Sequence, residues 1–307
     1  MQLSTPPLDY QVSEETKKIW RLELEMTDVL LDFCRKHVLQ PYACYGTLLG
    51  AARHKGFIPW DDDIDFVMMR NDYDKLLNII ESGDVKLPKH YEFDTADISV
   101  IKLRRSDTTM VNPNYRWSKD LNQGVWIDVF CMDVAPDNKE EYREKYAKLL
   151  RRVQIYRNRK IGFYAMVLPN LRRAFGHWGI KLFFVFNSIK KYREKTEDVL
   201  RNDTKIYSGQ KLWGWLIWSI IRPYEKIVCY NKSWFDEVVM LPFEDRVLPC
   251  PVGWEQILTA QYGEWRTPVM GGSQHEGSCV DINKPYTEYL EQKLKEMPWW
   301  KRYWYKH

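Results

Sequence analysis

The clearest apolar periodicity in the chain lies near its N-terminus. In SEETKKIWRLELEMTDVLLDFCRKH, residues Ile19, Leu22, Leu24, Met26, Val29, Leu30 and Phe33 recur at helical spacing and make a wide buried face. Ser13, with Glu15 and Thr16 behind it, predicts a capping-box start. Pro41 ends the connection; YACYG then reads as a short strand running into Gly46, and LLGAARHKG as a helical turn closing at Gly56. DIDFVMM reads as a strand, and NDYDKLLNIIESG as a helix capped at Asn71 or Asp72 and stopped by Gly83. ISVIKLRRS and GVWIDVFCMDVAP add two strands. From Asp137 the pattern turns helical: NKEEYREKYAKLLRRVQIYRNRK is a charged amphipathic helix, and residues from about 160 to 225 read as further helices. SWFDEVVMLPFEDRVLPCPVGWEQILTAQYGEW mixes short strand signals with a helix starting near Trp254. No internal repeat or low-complexity linker interrupts the pattern.

Composition narrows the class. With 307 residues, 45% hydrophobic and 29% charged, the chain is globular and long enough for one large or two ordinary domains. A formal charge of +4 is mild and points to no nucleic-acid partner. The N-terminal MQLSTPPLDYQVSEETKK lacks the apolar core of a signal peptide. Six cysteines (Cys34, Cys44, Cys131, Cys229, Cys250, Cys279) form no CxxC pair and no regular spacing, which argues against a zinc ribbon or disulfide framework and for a reducing, cytoplasmic setting.

The stretch that stands out is YGTLLGAARHKGFIPWDDDIDFVMM. Asp61, Asp62, Asp63 and Asp65 crowd four carboxylates into five positions just before an apolar run. Alternation along a strand would place Asp61, Asp63 and Asp65 on one face and turn Asp62 away with Ile64 and Phe66. Carboxylates so placed repel one another, and one would be pushed towards protonation. A hard divalent cation, Mg²⁺ or Mn²⁺, reverses that conflict because it takes oxygen ligands from carboxylates and substrate phosphates. A solvated acidic turn is the competing reading. A calcium loop of EF-hand type is excluded, since Phe66 and Asp72 stand where that loop needs Gly and Glu.

Two further features weigh on the choice. A strand ending in Gly46-Thr47 and turning into a short helix offers free backbone N–H groups and a hydroxyl as a seat for phosphate. In GVWIDVF, Val125, Ile127 and Val129 share one face, leaving Asp128 on the other with Trp126 and Phe130. An Asp in so apolar a strand needs a metal or an ion-pair partner such as a neighbouring Arg.

On these residues the chain resembles the LicD/fukutin-related family of phosphotransferases. YGTLLGAARHKGFIPWDDDIDF looks like its signature, and NDYDKL, KLRRSDTT, WIDVFCMDVAP and LPFEDRVLPCPVGWEQILTAQYGEW extend the likeness to both ends of the chain. The resemblance implies an α/β (α+β) fold, a nucleotidyltransferase-like mixed sheet flanked by helices. It implies transfer of phosphocholine or another phospho-alcohol from a CDP-linked donor to a hydroxyl of a cell-surface or lipid-linked glycan. Carried over residue by residue, Asp63 and Asp65 match the metal-binding D-x-D, Asp61 supports them, and Asp128 stands as the later acidic strand residue. Asp128 is either a metal ligand or the general base. Some eukaryotic relatives carry a zinc-binding insert, and no cysteine cluster here could build one.

Basic side chains complete the neutralisation of donor phosphates. Arg53 and Lys102 are the favoured candidates; His54, Lys55 and Arg104 are the others, and the ordinary alternative for Lys55 and Arg104 is a solvated surface cation. Lys102 and Arg104 are expected to share the exposed face of their strand. Tyr262 either lines the acceptor or base pocket or simply packs. The expected organisation is a catalytic core at 1–137, a helical aromatic and basic insertion at 138–228, and a C-terminal part at 229–307 completing the core. IGFYAMVLPNLRRAFGHWGIKLFFVFNSIKK and KLWGWLIWSIIRPYEK, broken by Arg172, Arg173, Lys181 and Lys190, suit either a peripheral contact at the inner face of a membrane or a packed helical subdomain. The competing functions are a D-x-D glycosyltransferase using a nucleotide sugar and a catalytically silent membrane-associated glycan-binding scaffold.

Overall fold

The first helix forms as its pattern predicts. In the computed structural model, which describes residues 10–111, 122–134, 149, 189–206, 211–214, 228–271 and 278–296, α1 spans Glu14–Lys36. The Ser13 hydroxyl caps it by accepting from the Thr16 N–H at 3.0 Å. Glu14 and Glu15 at its start and Arg35 and Lys36 at its end suit the helix dipole. Met26, Leu30 and Phe33 are buried on the face that packs against the central sheet.

The sheet is mixed, as expected. Its path runs β1 (Pro41–Ala43), β2 (Asp65–Met69), β6 (Trp126–Val134), β4 (Val100–Arg105), β3 (Tyr91–Asp94). β2 and β6 are parallel and the other neighbours antiparallel. Phe66, Met68, Ile101, Leu103, Ile127 and Val129 are fully buried in it, each stabilising by about 1.5–3 kcal/mol. α2 (Tyr45–Arg53) follows β1 directly, and α3 (Arg70–Ser82) follows β2. α3 begins at Arg70 with Met69 as its N-cap, ahead of the expected caps Asn71 and Asp72, and Gly83 stops it in the left-handed region (φ 81°) as expected. Asp72 does not cap it: its carboxylate instead accepts from the Gln40 N–H at 3.2 Å and holds the entry to β1.

A buried ion cluster ties the sheet to the next helix. Arg70 places Nε and Nη2 on the two oxygens of Asp133 at 2.7 and 2.8 Å, and Nη1 on Glu197 at 3.0 Å. Glu197 belongs to α4 (Ile189–Ile206), which also offers Arg201 to Asp74 of α3. The chain returns as β7 (Lys211–Gly214), which pairs with the end of β6 and with β8 (Tyr230–Asn231). Residues 211–214 were expected to be helical; their backbone extends the sheet along the β6 edge that β4 leaves free. Most of the aromatic and basic stretch between 138 and 228 lies outside the described residues. Among those described, no helix is long and apolar enough to cross a membrane.

The C-terminal part returns to the N-terminal one. β9 (Val238–Phe243) and β10 (Arg246–Pro251) form a hairpin whose tip residue Glu244 accepts from the Phe57 N–H at 3.0 Å and donates its own N–H to the Lys55 carbonyl at 2.8 Å. α5 (Trp254–Tyr262) starts where the sequence places it. β5 (Thr109–Val111) pairs with β11 (Cys279–Asp281), followed by α6 (Tyr286–Glu296). All six cysteines are free.

Candidate active site

The site is built where β1, β2 and β6 end beside α2. β2 starts at Asp65, not at Asp61, so the expected alternation over Asp61–Asp65 is corrected. Asp61 to Ile64 precede the strand, entered by a turn in which Asp61 N–H reaches the Ile58 carbonyl at 2.9 Å and left where the Ile64 carbonyl accepts the Asp128 N–H of β6 at 3.1 Å. Free of strand register, Asp61, Asp62 and Asp63 can bring one carboxylate oxygen each to within 4.8 Å of one another. Asp62 therefore belongs with its neighbours and is not turned to the opposite face.

Asp61 and Asp65 are each positioned by named contacts. Trp20 of α1 donates its indole N–H to the Asp61 carbonyl at 2.9 Å and stacks on Phe57, with ring centroids 4.6 Å apart. Gly46 lies directly under the Asp61 carboxylate: a methyl group there would run into Asp61 Oδ2. Thr47 is buried, and its hydroxyl accepts the Asp65 N–H at 2.8 Å, fixing the start of β2.

The sheet register then lines up a row of charge. Asp65 is partnered by Asp128, Asp128 by Lys102, and Lys102 by Asp94. Side chains of direct cross-strand partners share a face. Lys102 Nζ donates to Asp128 Oδ1, and Trp126 Nε1 donates to Asp128 Oδ2 at 3.1 Å. The Trp126 ring lies between two cations, Lys102 at 4.9 Å and Arg104 at 4.8 Å from its centroid. Lys102 and Arg104 share a face as expected, but not an exposed one, because Asp128, Asp94 and Trp126 cover it.

Electrostatics show how crowded the acids are. Burial, opposed by a hydrogen bond with Asp63 and reinforced by Asp62, pushes the Asp61 carboxyl up to about 6. Burial raises Asp65 well above the usual range, and Asp63, Asp128 and Asp61 add to it, against Lys102. Cys44, the N-cap residue of α2, is held as a thiol by burial and by Asp65 and Asp128.

The remaining sequence candidates fall at the edges of this cluster. Arg53 directs Nη1 to the Trp265 carbonyl at 2.8 Å and Nε to His54 Nδ1 at 3.3 Å, so it clasps the C-terminal segment. Lys55 supplies the carbonyl that holds the hairpin tip. Tyr262 is partly exposed and accepts from Gln261.

Sequence reasoning missed Glu23. It lies on α1, fully buried, and its four strongest electrostatic neighbours after burial itself are Asp63, Asp62, Asp61 and Asp65. Neither of its carboxylate oxygens makes a hydrogen bond among the described residues, nor does the buried Thr27 hydroxyl one turn on. The signal was available: Glu23 interrupts an otherwise apolar stripe with Met26 and Leu30. Crowded, partly buried oxygen donors, a glycine that admits a carboxylate at close range and an orphaned buried acid together fit a hard divalent cation.

Residues 40–161 match the family model described as LicD/FKTN/FKRP, nucleotidyltransferase domain. The chain is 24% identical over 246 residues to the lipopolysaccharide cholinephosphotransferase LicD of Haemophilus influenzae, spanning 79% of this chain and 88% of that protein. Residues 40–161 thus resemble the nucleotidyltransferase domain of the LicD family, and the longer match is to one of its members. An uncharacterized protein of Rickettsia prowazekii is 28% identical over 135 residues, covering 43% of this chain and 46% of its own length. Gly46, Thr47, Arg53, the acidic loop, Lys102 and Asp128 all fall inside the matched region, whereas Glu23 lies ahead of it.

Proposed function

We propose that this protein transfers a phospho-alcohol group, phosphocholine foremost, from a CDP-linked donor to a hydroxyl of a cell-surface glycan. The observation that carries the reading is the junction of the Asp61–Asp65 loop with Asp128 and Lys102 beside Gly46. It occurs in a chain similar along most of its length to a lipopolysaccharide cholinephosphotransferase.

In the proposed chemistry the acceptor oxygen bonds to the phosphorus that bears the alcohol, and CMP leaves with the electron pair of the broken bridge. Phosphoryl transfer asks mainly for positioning and charge stabilisation. Asp61, Asp63 and Asp65, with Asp62 gathered beside Asp61 and Asp63, would hold a Mg²⁺ or Mn²⁺ ion, which would supply positive charge to the donor's phosphates. Asp128, oriented by a donor at each oxygen, accepts the proton of the attacking hydroxyl. Lys102 sits within reach of the developing negative charge. Gly46 keeps the backbone of α2 close to the acids, and Thr47 fixes the strand that presents Asp65.

The regions 1–137 and 229–307 act as one catalytic unit, a reading supported by the docking of Glu244 on Lys55 and Phe57, and the expected 138–228 insertion contributes β7 and α4 to that unit. The aromatic and basic composition of the insertion supports peripheral contact with the membrane face that carries a lipid-linked acceptor. Incubation with a panel of CDP-alcohols and a glycan acceptor, with Mg²⁺ or with EDTA, tests the reading. Metal-dependent CMP release with CDP-choline is expected. Turnover of a nucleotide sugar instead would establish the glycosyltransferase alternative.

A further inference from the structure

Glu23 occupies a place that ordinary packing does not explain. Trp20, Glu23 and Thr27 follow one another at helical spacing on α1 and share a face. Trp20 fixes what that face looks at, because its indole N–H holds the Asp61 carbonyl at 2.9 Å. Glu23 is 0% exposed, and both of its oxygens lack a hydrogen-bond partner among the described residues. Thr27 Oγ1, one turn further, is likewise buried and unbonded. A buried carboxyl normally finds a cation or several N–H donors. This one instead lies on the helix face that Trp20 holds against Asp61, beside a loop in which one carboxylate oxygen each of Asp61, Asp62 and Asp63 is already gathered within 4.8 Å of the others. Without a cation, that arrangement opposes folding; with one, it is a set of oxygen ligands drawn from a helix and a loop far apart in sequence.

We propose that Glu23 is a ligand of the divalent cation held by the acidic loop, closing the loop's inner flank from α1. The inference rests on the reading above that Asp61, Asp63 and Asp65 bind Mg²⁺ or Mn²⁺. It adds a residue outside the matched family domain. It also gives α1 a role: cation binding clamps the helix to the site, so the two order together.

The test is Mn²⁺ binding to the full chain without nucleotide, read by calorimetry, together with amide hydrogen exchange across residues 20–27. Glu23→Gln is expected to weaken Mn²⁺ binding about tenfold or more, the scale of loss when a metal site's supporting ligands are removed. It is also expected to abolish the slowing of α1 exchange by Mn²⁺, while the melting temperature in EDTA holds or rises. Asp63→Asn tests the underlying reading in parallel. If Asp63→Asn loses Mn²⁺ and Glu23→Gln keeps native affinity within twofold, the Glu23 assignment is overturned and the loop's cation stands. If the native chain binds no Mn²⁺, both fall. Should the amide variant fail to fold, Glu23→Met keeps the volume in an apolar form and carries the same measurement. In the native protein alone, Mn²⁺ binding that leaves α1 exchange unchanged overturns the proposal.

Discussion

Asp65 and Asp128 are direct register partners across the parallel β2–β6 pair, yet they are held in opposite ways. Asp65 is buried among other acids, and only its backbone is bonded by Thr47. Asp128 is anchored through both oxygens, by Lys102 and Trp126. The pair therefore combines one strained and one satisfied carboxylate on the same face of the sheet.

Replacing each by Asn is expected to separate the two. Both variants should lose activity about 100-fold or more, the scale of losing a group that stabilises transition-state charge. In EDTA, Asp65→Asn should match or exceed the native melting temperature, because it relieves repulsion with Asp61, Asp63 and Asp128. Asp128→Asn should cost about 1–3 kcal/mol, because Lys102 loses its carboxylate. Urea denaturation of both proteins in EDTA checks the signs; equal destabilisation would contradict the assignment.

Gly46→Ala probes the floor of the site. The added methyl meets the Asp61 carboxylate, the mobile end of a side chain, so the fold should survive while Asp61 is displaced. Activity should fall by up to about 100-fold, since a shift of 1 Å in a positioned group can cost that much. A melting temperature close to native alongside lost CMP release is the expected result.

Much of this was legible in the sequence, for reasons that also explain the failures. Asp128 stood out because Val125, Ile127 and Val129 are apolar at alternate positions, and the strand forms with that alternation. Gly46 and Asp65 lie where a strand meets a helix and where an apolar run begins. Asp62 was misplaced because the alternation of β2 was extended back through residues with no strand partner. What holds Asp61 is a turn to Ile58 and an indole from α1, neither of which has a local periodicity. Arg70, Asp133 and Glu197 drew no expectation, since nothing local says that α4 will cover them. Glu23 needed the same long-range information, although its break in an apolar stripe was visible.

The buried cluster around Arg70 makes its own prediction. Arg70→Met removes the guanidinium that bonds both Asp133 and Glu197, each almost wholly buried. Two carboxylates are then left in a low-dielectric site, and the expected cost is about 3–5 kcal/mol. Combining it with Asp133→Asn and Glu197→Gln should recover part of that loss, because the orphaned charges go with it. Urea midpoints for the single and triple variants measure both effects. A single variant as stable as native would mean that α4 does not depend on this cluster for its seat on the sheet.

His54 ties the C-terminal end of α2 to pH. Burial, reinforced by the neighbouring Arg53, holds its imidazole below the ordinary value of about 6.5. The Arg53 Nε–H donates to His54 Nδ1 at 3.3 Å, so that nitrogen serves as an acceptor and the ring is bonded in its neutral form. Between the depressed folded value and about 6.5 the unfolded chain binds more protons than the native one, and stability therefore rises with pH in that window. Acidification below about 6.5 should remove stability, because a protonated His54 would lose its bond to Arg53 and face it as a second cation. Arg53 in turn holds the Trp265 carbonyl, so the C-terminal segment should loosen with it. Melting temperatures of the native protein and His54→Gln, measured in EDTA from pH 5 to 8 in about half-unit steps, isolate this contribution, since the carboxylates of the acidic loop are common to both. The native advantage should be constant above about pH 7 and shrink as pH falls below about 6.5. An advantage that grows on acidification would show that the protonated ring is the one the fold prefers, and would remove the Arg53–His54 bond from the account of how that helix end is held.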